Sequence, residues 1–97
     1  MKAELREQIY TVIAAIPPGR VTTYGRIAAM TEATTPRLVA RALRELPAGH
    51  GLPWYRVITA SRKLADHAGA IEQRRRLVAE GVVFDARGRV PACRLWP

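Results

Sequence analysis

Thr35-Pro36-Arg37-Leu38-Val39-Ala40-Arg41-Ala42-Leu43-Arg44-Glu45-Leu46 is the stretch whose reading decides the fold. Thr35 stands at an N-cap position and Pro36 at the first helical one, where the missing N–H of proline is harmless. Leu38, Val39, Ala42, Leu43 and Leu46 then share one face of a helix, while Arg37, Arg41 and Arg44 fall at i, i+4 and i+7 along another. Just upstream, Thr23 is placed to cap a second helix from Tyr24 to about Thr31, with Ile27, Ala28 and Met30 available to a core and Glu32 to Thr35 as the turn. Two short helices joined by a tight turn, the second carrying an arginine stripe, read as a helix-turn-helix. A solvated amphipathic helix whose arginines touch nothing is the other reading of the same pattern.

Working outward, Leu5, Ile9, Val12, Ile13 and Ile16 recur at helical spacing, which predicts an amphipathic helix from Ala3 to Ile16 that Pro17, Pro18 and Gly19 stop. Val21 to Thr23 is a short extended piece. Pro47 to Leu52 forms a loop and Thr59 to Gly69 is irregular. A fourth helix is expected over Ala70 to Glu80, with Ile71, Leu77 and Val78 inward, Glu72 set to pair with Arg76, and Gly81 as its stop. Val82 to Phe84 and Cys93 to Leu95 are expected to pair as two short strands around the turn at Asp85 to Gly88. Phe84, Leu95 and Trp96 are too apolar to stand in water, so this tail packs onto the rest. The fold class is therefore mainly α, a small winged-helix-like helix-turn-helix DNA-binding domain with a short C-terminal β-hairpin, residues 1–97 forming one domain.

Composition narrows the partner. The formal net charge is +8, and 14 of the 16 basic residues are arginine, whose planar donor fork suits phosphate. Genomic base composition accounts for arginine over lysine, but not for the shortage of acids, so nucleic acid is the leading partner class. No apolar run is long enough to span a bilayer, and the N-terminus lacks the pattern of a signal peptide. A location in the bacterial cytoplasm or nucleoid, without membrane association, is expected. The lone Cys93 cannot make an internal disulfide, consistent with a reducing compartment.

Chemistry read from the residues alone is sparse. His50 and His67 are isolated, no Cys or His cluster has metal-ligand spacing, and no glycine-rich phosphate loop occurs, so no metal or cofactor is expected. Cys93, beside Arg94 but with no nearby histidine in sequence, reads as a buried, unreactive thiol. The informative segment is Pro53-Trp54-Tyr55-Arg56-Val57-Ile58. It sets two aromatic rings and a guanidinium behind a proline, the mixture that stacks on bases and holds phosphates.

That segment resembles the Pro-Cys-His-Arg-Val motif of the O6-alkylguanine-DNA alkyltransferases, with Trp54 in place of the reactive cysteine and Tyr55 in place of the histidine. Pro18-Gly19-Arg20-Val21-Thr22-Thr23-Tyr24-Gly25-Arg26-Ile27-Ala28 is similar to the Pro-x-Gly-x-Val-x-Thr-Tyr-Gly-x-Ile-Ala segment of the same family. Together with the helix end at Leu77 to Gly81, the likeness covers roughly Ile9 to Phe84. Tryptophan for cysteine marks the alkyltransferase-like branch. That resemblance implies a non-enzymatic sensor that binds O6-alkylguanine in double-stranded DNA, flips it, and flags it to nucleotide excision repair proteins. Dealkylation needs a thiolate and a histidine-linked base, and an indole and a phenol supply neither. Carried over residue by residue, the lesion pocket is Pro53, Trp54, Tyr55, Arg56 and Val57. Tyr24 and Arg37 flip the base, and Thr23, Arg26, Arg41 and Arg44 meet the DNA backbone. Arg56 is expected to brace the pocket loop by bonds to nearby groups, and a monomer is expected to suffice. The chain departs from the family pattern at Arg41 and at Arg62, where glycine is usual, and no role is carried over for Ser61, Lys63 or His67.

Other functions fit the same residues. A residual alkyltransferase would use Cys93. A general helix-turn-helix module would prefer a sequence and ignore the lesion, and an interaction domain would turn its arginines to an acidic protein.

Overall fold

The computed structural model describes all 97 residues, from Met1 to Pro97. Helix α1 spans Ala3–Ala15, strand β1 Thr22–Thr23, α2 Tyr24–Ala29, α3 Pro36–Arg44, strand β2 Val57–Ile58 and α4 Ala70–Ala79. Short 3₁₀ turns cover Trp54–Arg56 and Ala92–Arg94. No helix is long and apolar enough to cross a membrane.

Helices α1, α2 and α3 close over one core of Ile9, Ile13, Ile16, Ile27, Val39 and Ala42, the positions that the 3.6-residue period puts on facing sides. Tyr10 ties α1 to α3, its hydroxyl donating to the Ala42 carbonyl at 2.9 Å. Thr23 caps α2 as its sequence position predicts, accepting the Arg26 N–H at 3.1 Å. Thr35 occupies the N-cap of α3 with extended backbone but makes no side-chain cap bond, so Pro36 at the first turn is the start signal that operates. A second core, of Val21, Ile58, Leu77, Val82 and Val90, joins α4 and the C-terminal segment to the strands.

Between these cores lies the feature that positions the site. Strands β1 and β2 pair in parallel, Thr22 with Val57 and Thr23 with Ile58. Tyr24 follows β1 directly and Trp54 to Arg56 precede β2 directly, so this two-residue pairing brings together segments thirty residues apart in sequence.

Three expectations change. Met30, at the C-cap of α2 and expected to reach the core, is exposed. Ile71 and Val78 are 85% and 52% exposed rather than inward, and the inner face of α4 is Gln73 and Leu77. Those two lie one helical turn apart, whereas Ile71 and Val78 share the opposite side. The C-terminal hairpin does not form. Cys93 and Arg94 lie in a 3₁₀ turn, Val82–Phe84 is irregular, and Leu95 instead makes a parallel bridge to Val21. The Val21 N–H donates to Arg94 O at 2.9 Å and the Trp96 N–H to Val21 O at 2.7 Å, so the tail extends the edge of β1. The turn at Asp85 is real, with its carboxylate taking the Arg87 and Arg89 N–H groups, and it bridges to Lys63 through Arg89. Arg62, at the position where glycine is usual in the family, adopts φ +65, a left-handed conformation costly for a side chain and held by Val90 N–H donating to its carbonyl at 2.8 Å.

Candidate nucleic-acid interface

A cavity of about 590 Å³ opens where α2, α3, the Trp54 turn and the approach to α4 converge. Its α2–α3 side is Tyr24, Ala40, Leu43 and Arg44; Trp54 and Val57 form its floor, and Asp66, His67, Gly69 and Gln73 form the far wall. Small Ala40 on α3 leaves the room. Burial raises the Tyr24 phenol pKa above its ordinary value, while the positive charge of Arg44 pulls the other way. Tyr24 is half-buried and Arg44 exposed, and both line the cavity.

On α3, Arg37, Arg41 and Arg44 all project into solvent, as the stripe predicts. Arg41 has Glu45 at 3.6 Å, whereas Arg37 and Arg44 have no carboxylate partner. Thr23 is buried, with its hydroxyl committed to the α2 cap, so its side chain is not presented to a ligand. Arg26 is exposed and donates to the Pro97 carbonyl at 3.0 Å.

The Pro53 to Val57 motif divides. Trp54 and Val57 line the cavity, but Pro53, Tyr55 and Arg56 do not. Tyr55 turns to the opposite side, where its hydroxyl donates to Glu80 at 3.2 Å and Arg56 and Arg76 lie over its ring at 5.2 and 5.3 Å. Arg56 is a brace. It forms a bidentate pair with Glu80 and donates to the Ile16 carbonyl at 2.9 Å, fastening the turn to the ends of α1 and α4. Glu80 also accepts the Gly19 N–H at 2.9 Å. Arg94 bonds the Gly19 carbonyl at 3.2 Å and the Gly81 carbonyl at 2.9 Å, so one network joins four chain segments behind Trp54. Tyr55 and Arg56, expected beside Trp54 in a pocket, thus lie outside this cavity.

Asp66, Gly69 and Gln73 escaped the sequence reading, and His67 entered it without a role. Gln73 left a signal, since it sits four residues before Leu77 on the inward face of α4, a polar side chain where the period demands burial. The others lie in a segment without periodicity, and nothing local marks them. Cys93 is exposed rather than buried, in the Ala92–Arg94 turn, and it does not line the cavity. No group of three side chains able to hold a metal ion occurs.

A solvent-facing arginine helix thus stands beside a cavity lined by Trp54 and Tyr24. Residues 4–82 match the 6-O-methylguanine DNA methyltransferase DNA-binding domain, and the chain belongs to that family. Within the family it groups with the alkyltransferase-like, or base-flipping, relatives. It is 41% identical over 87 residues to the DNA base-flipping protein of Vibrio parahaemolyticus, covering 86% of this chain and 85% of that one. It is 34% identical over 83 residues to alkyltransferase-like protein 1 of Schizosaccharomyces pombe, covering 81% and 77%. The crystal structure of S. pombe Atl1 in complex with damaged DNA containing O6-carboxymethylguanine superimposes with a TM-score of 0.85 at 28% identity, over 100% of this chain and 98% of that one.

Proposed function

We propose that the whole chain acts as one DNA-binding unit that holds an O6-alkylated guanine, rotated out of the duplex, in the cavity floored by Trp54, and performs no reaction on it. The observation that carries this reading is Trp54 itself. Its indole lines a cavity large enough for a substituted purine, and in this reading it stands where the family's motif carries its nucleophile. A flat aromatic surface there can stack on a base or pack on an alkyl group, a contact on the order of 1–3 kcal/mol. Beside it, Tyr55 has its hydroxyl committed to Glu80 and does not line the cavity.

The DNA-facing surface in this reading is α3. Arg37, at its first turn, is the residue that enters the duplex and fills the vacated stack. Arg44 and Arg41 meet phosphates, and Tyr24 crowds the target's own phosphate and helps it rotate out. Arg26 contributes charge at the edge. The names of the relatives support base flipping, and the DNA in the Atl1 complex supports an O6-alkylguanine as the target. A complex that persists unrepaired is a marker, which fits a role in handing the lesion to nucleotide excision repair proteins, one protein molecule per lesion.

Binding to a short duplex with one O6-methylguanine and to its unmodified twin tests the reading. The modified duplex is expected to bind at least about tenfold tighter, a difference of about 1.4 kcal/mol. Equal affinities would end the lesion reading in favour of a general helix-turn-helix module. The intact mass of the protein afterwards is expected to be unchanged; a gain of one methyl group would instead assign alkyl transfer, with the exposed Cys93 as the acceptor.

A further inference from the structure

The segment that carries Trp54 is also held by a polar relay on the α4 side. Gln73 is 2% exposed, and its whole amide is used. Its Nε2 donates to the Val57 carbonyl at 2.9 Å and to the Tyr55 carbonyl at 3.2 Å, both in the segment that carries Trp54. With the nitrogen thus assigned, the amide oxygen can only accept, so the hydrogen in its 3.0 Å bond to His67 Nε2 sits on the histidine. His67 Nδ1 in turn accepts the Gly69 N–H at 2.9 Å and carries no hydrogen. The two bonds together specify one state of the ring, the neutral Nε2–H tautomer.

In that state the imidazole stands edge-on to Trp54, with centroids 6.3 Å apart and planes at 72°. Gly69 makes this approach possible. A Cβ there would lie 3.0 Å from His67 Cε1 and 3.5 Å from Trp54 Cη2, although the Gly69 φ of −86° is open to any residue. The glycine is present for space and not for backbone freedom.

Resting on the lesion reading above, we propose that His67 is a positioning residue for Trp54, held by Gln73 and Gly69, and that lesion discrimination requires its neutral ring. A second proton would land on Nδ1 and point at the Gly69 N–H, replacing a bond by a clash of donors at the first amides of α4, where the helix dipole also opposes positive charge. The other charged or titratable groups around the cavity are Asp66 beside His67, His50 from the loop, Arg44 from α3 and Tyr24 from α2, while α4 offers only the neutral Gln73. None of these can restore the acceptor that Gly69 loses.

The test is the affinity ratio between O6-methylguanine and unmodified duplexes at constant ionic strength, from about pH 8 to about pH 5.5, across the span in which histidine titrates. The wild-type ratio is expected to fall at least about fivefold in acid as the relay breaks. His67→Asn keeps an oxygen able to take the Gly69 N–H in an Asx turn but gains no proton, so its ratio is expected to be flat. Gly69→Ala is expected to lower the ratio already at pH 8. A flat wild-type ratio, a His67→Asn ratio that still falls in acid, or a Gly69→Ala ratio like wild type would each overturn the proposal. Nitrogen-15 shifts of His67 in the free protein separate this outcome from failure of the lesion reading. Hydrogen on Nε2 alone at pH 8 is expected, hydrogen on Nδ1 would overturn the relay, and no lesion preference at pH 8 would overturn the function on which it rests.

Discussion

Helices α3 and α4 flank the same cavity and both carry three arginines, yet they use them in opposite ways. On α3, Arg37 and Arg44 have no carboxylate partner and Arg41 has only Glu45 at 3.6 Å. On α4, Arg75 and Arg76 both bond Glu72, at 2.7 and 2.8 Å, and Arg74 lies over the Phe84 ring at 4.3 Å. The Glu72 carboxyl is held below its ordinary pKa first by its bond to Arg75 and then by that to Arg76. A count of positive charge treats these helices as equal. The chemistry does not, because a guanidinium already facing a carboxylate has less to offer a phosphate than one that faces only water. Exposed pairs of this kind add little stability, so their main consequence is to mark which face is left open.

The largest expected effect lies behind the cavity, where pairing becomes structural. Glu80→Ala leaves Arg56 with an unpaired charge in a nearly buried position, and is expected to cost about 3–5 kcal/mol in denaturant unfolding. A loss under about 1 kcal/mol would mean that the network behaves like the surface pairs of α4. The pH dependence has a definite sign. Burial alone raises the Glu80 carboxyl, but the bonds from Arg56, the Gly19 N–H and Tyr55 together outweigh it and hold the folded pKa below the ordinary glutamate value. The stability it contributes is therefore fully present above the unfolded-state value and is lost as pH falls through the lower folded one. Glu80→Gln is expected to flatten that acid limb, which an unfolding series in pH reads directly.

Next in size is the comparison of the two helices on DNA. Arg37→Ala and Arg44→Ala are each expected to reduce the steepness of log affinity against log salt by about one, whereas Arg75→Ala leaves it unchanged. Arg37→Ala should also reduce the preference for the O6-methylguanine duplex more than Arg44→Ala does. Equal losses from Arg75→Ala would break the contrast and spread the DNA surface over both helices. A greater loss of preference from Arg44→Ala would move the intercalating role away from Arg37.

The smallest expected effect concerns the strand pair that joins the two halves. Thr22 is fully buried and its hydroxyl has no partner, so Thr22→Val, which keeps the shape, is expected to raise stability by about 1 kcal/mol. Thermal unfolding checks this, and a destabilised variant would mean that the hydroxyl is satisfied after all.

Much of this molecule is legible in its local sequence. Thr23, Pro36 and Gly81 mark helix ends because capping, a missing N–H and a left-handed backbone are properties of single residues, and Ile9, Ile13, Val39 and Ala42 reach the core because a 3.6-residue period puts them there. The order Pro53-Trp54-Tyr55-Arg56-Val57-Ile58 is likewise read directly along the chain. Other features needed the fold. Ile71 and Val78 read as core, but a helix face is inward only relative to what packs on it, and α4 meets the strands through Gln73 and Leu77. Cys93 to Leu95 read as a hairpin strand, but the free edge of β1 competed for it and won at Leu95. Tyr55 and Arg56 share a motif with Trp54 and yet face away from the cavity, because the 3₁₀ turn sends consecutive side chains in different directions.

The sequence by itself determined the helices and the arginine stripe, since each depends on residue type and spacing. Only the tertiary structure decided which arginines are unpaired, that Trp54 meets His67 and Gly69, and that Gln73 holds the backbone just after it. Pairing and contact are relations across the parallel β1–β2 register and the α4 packing, and no local pattern records them.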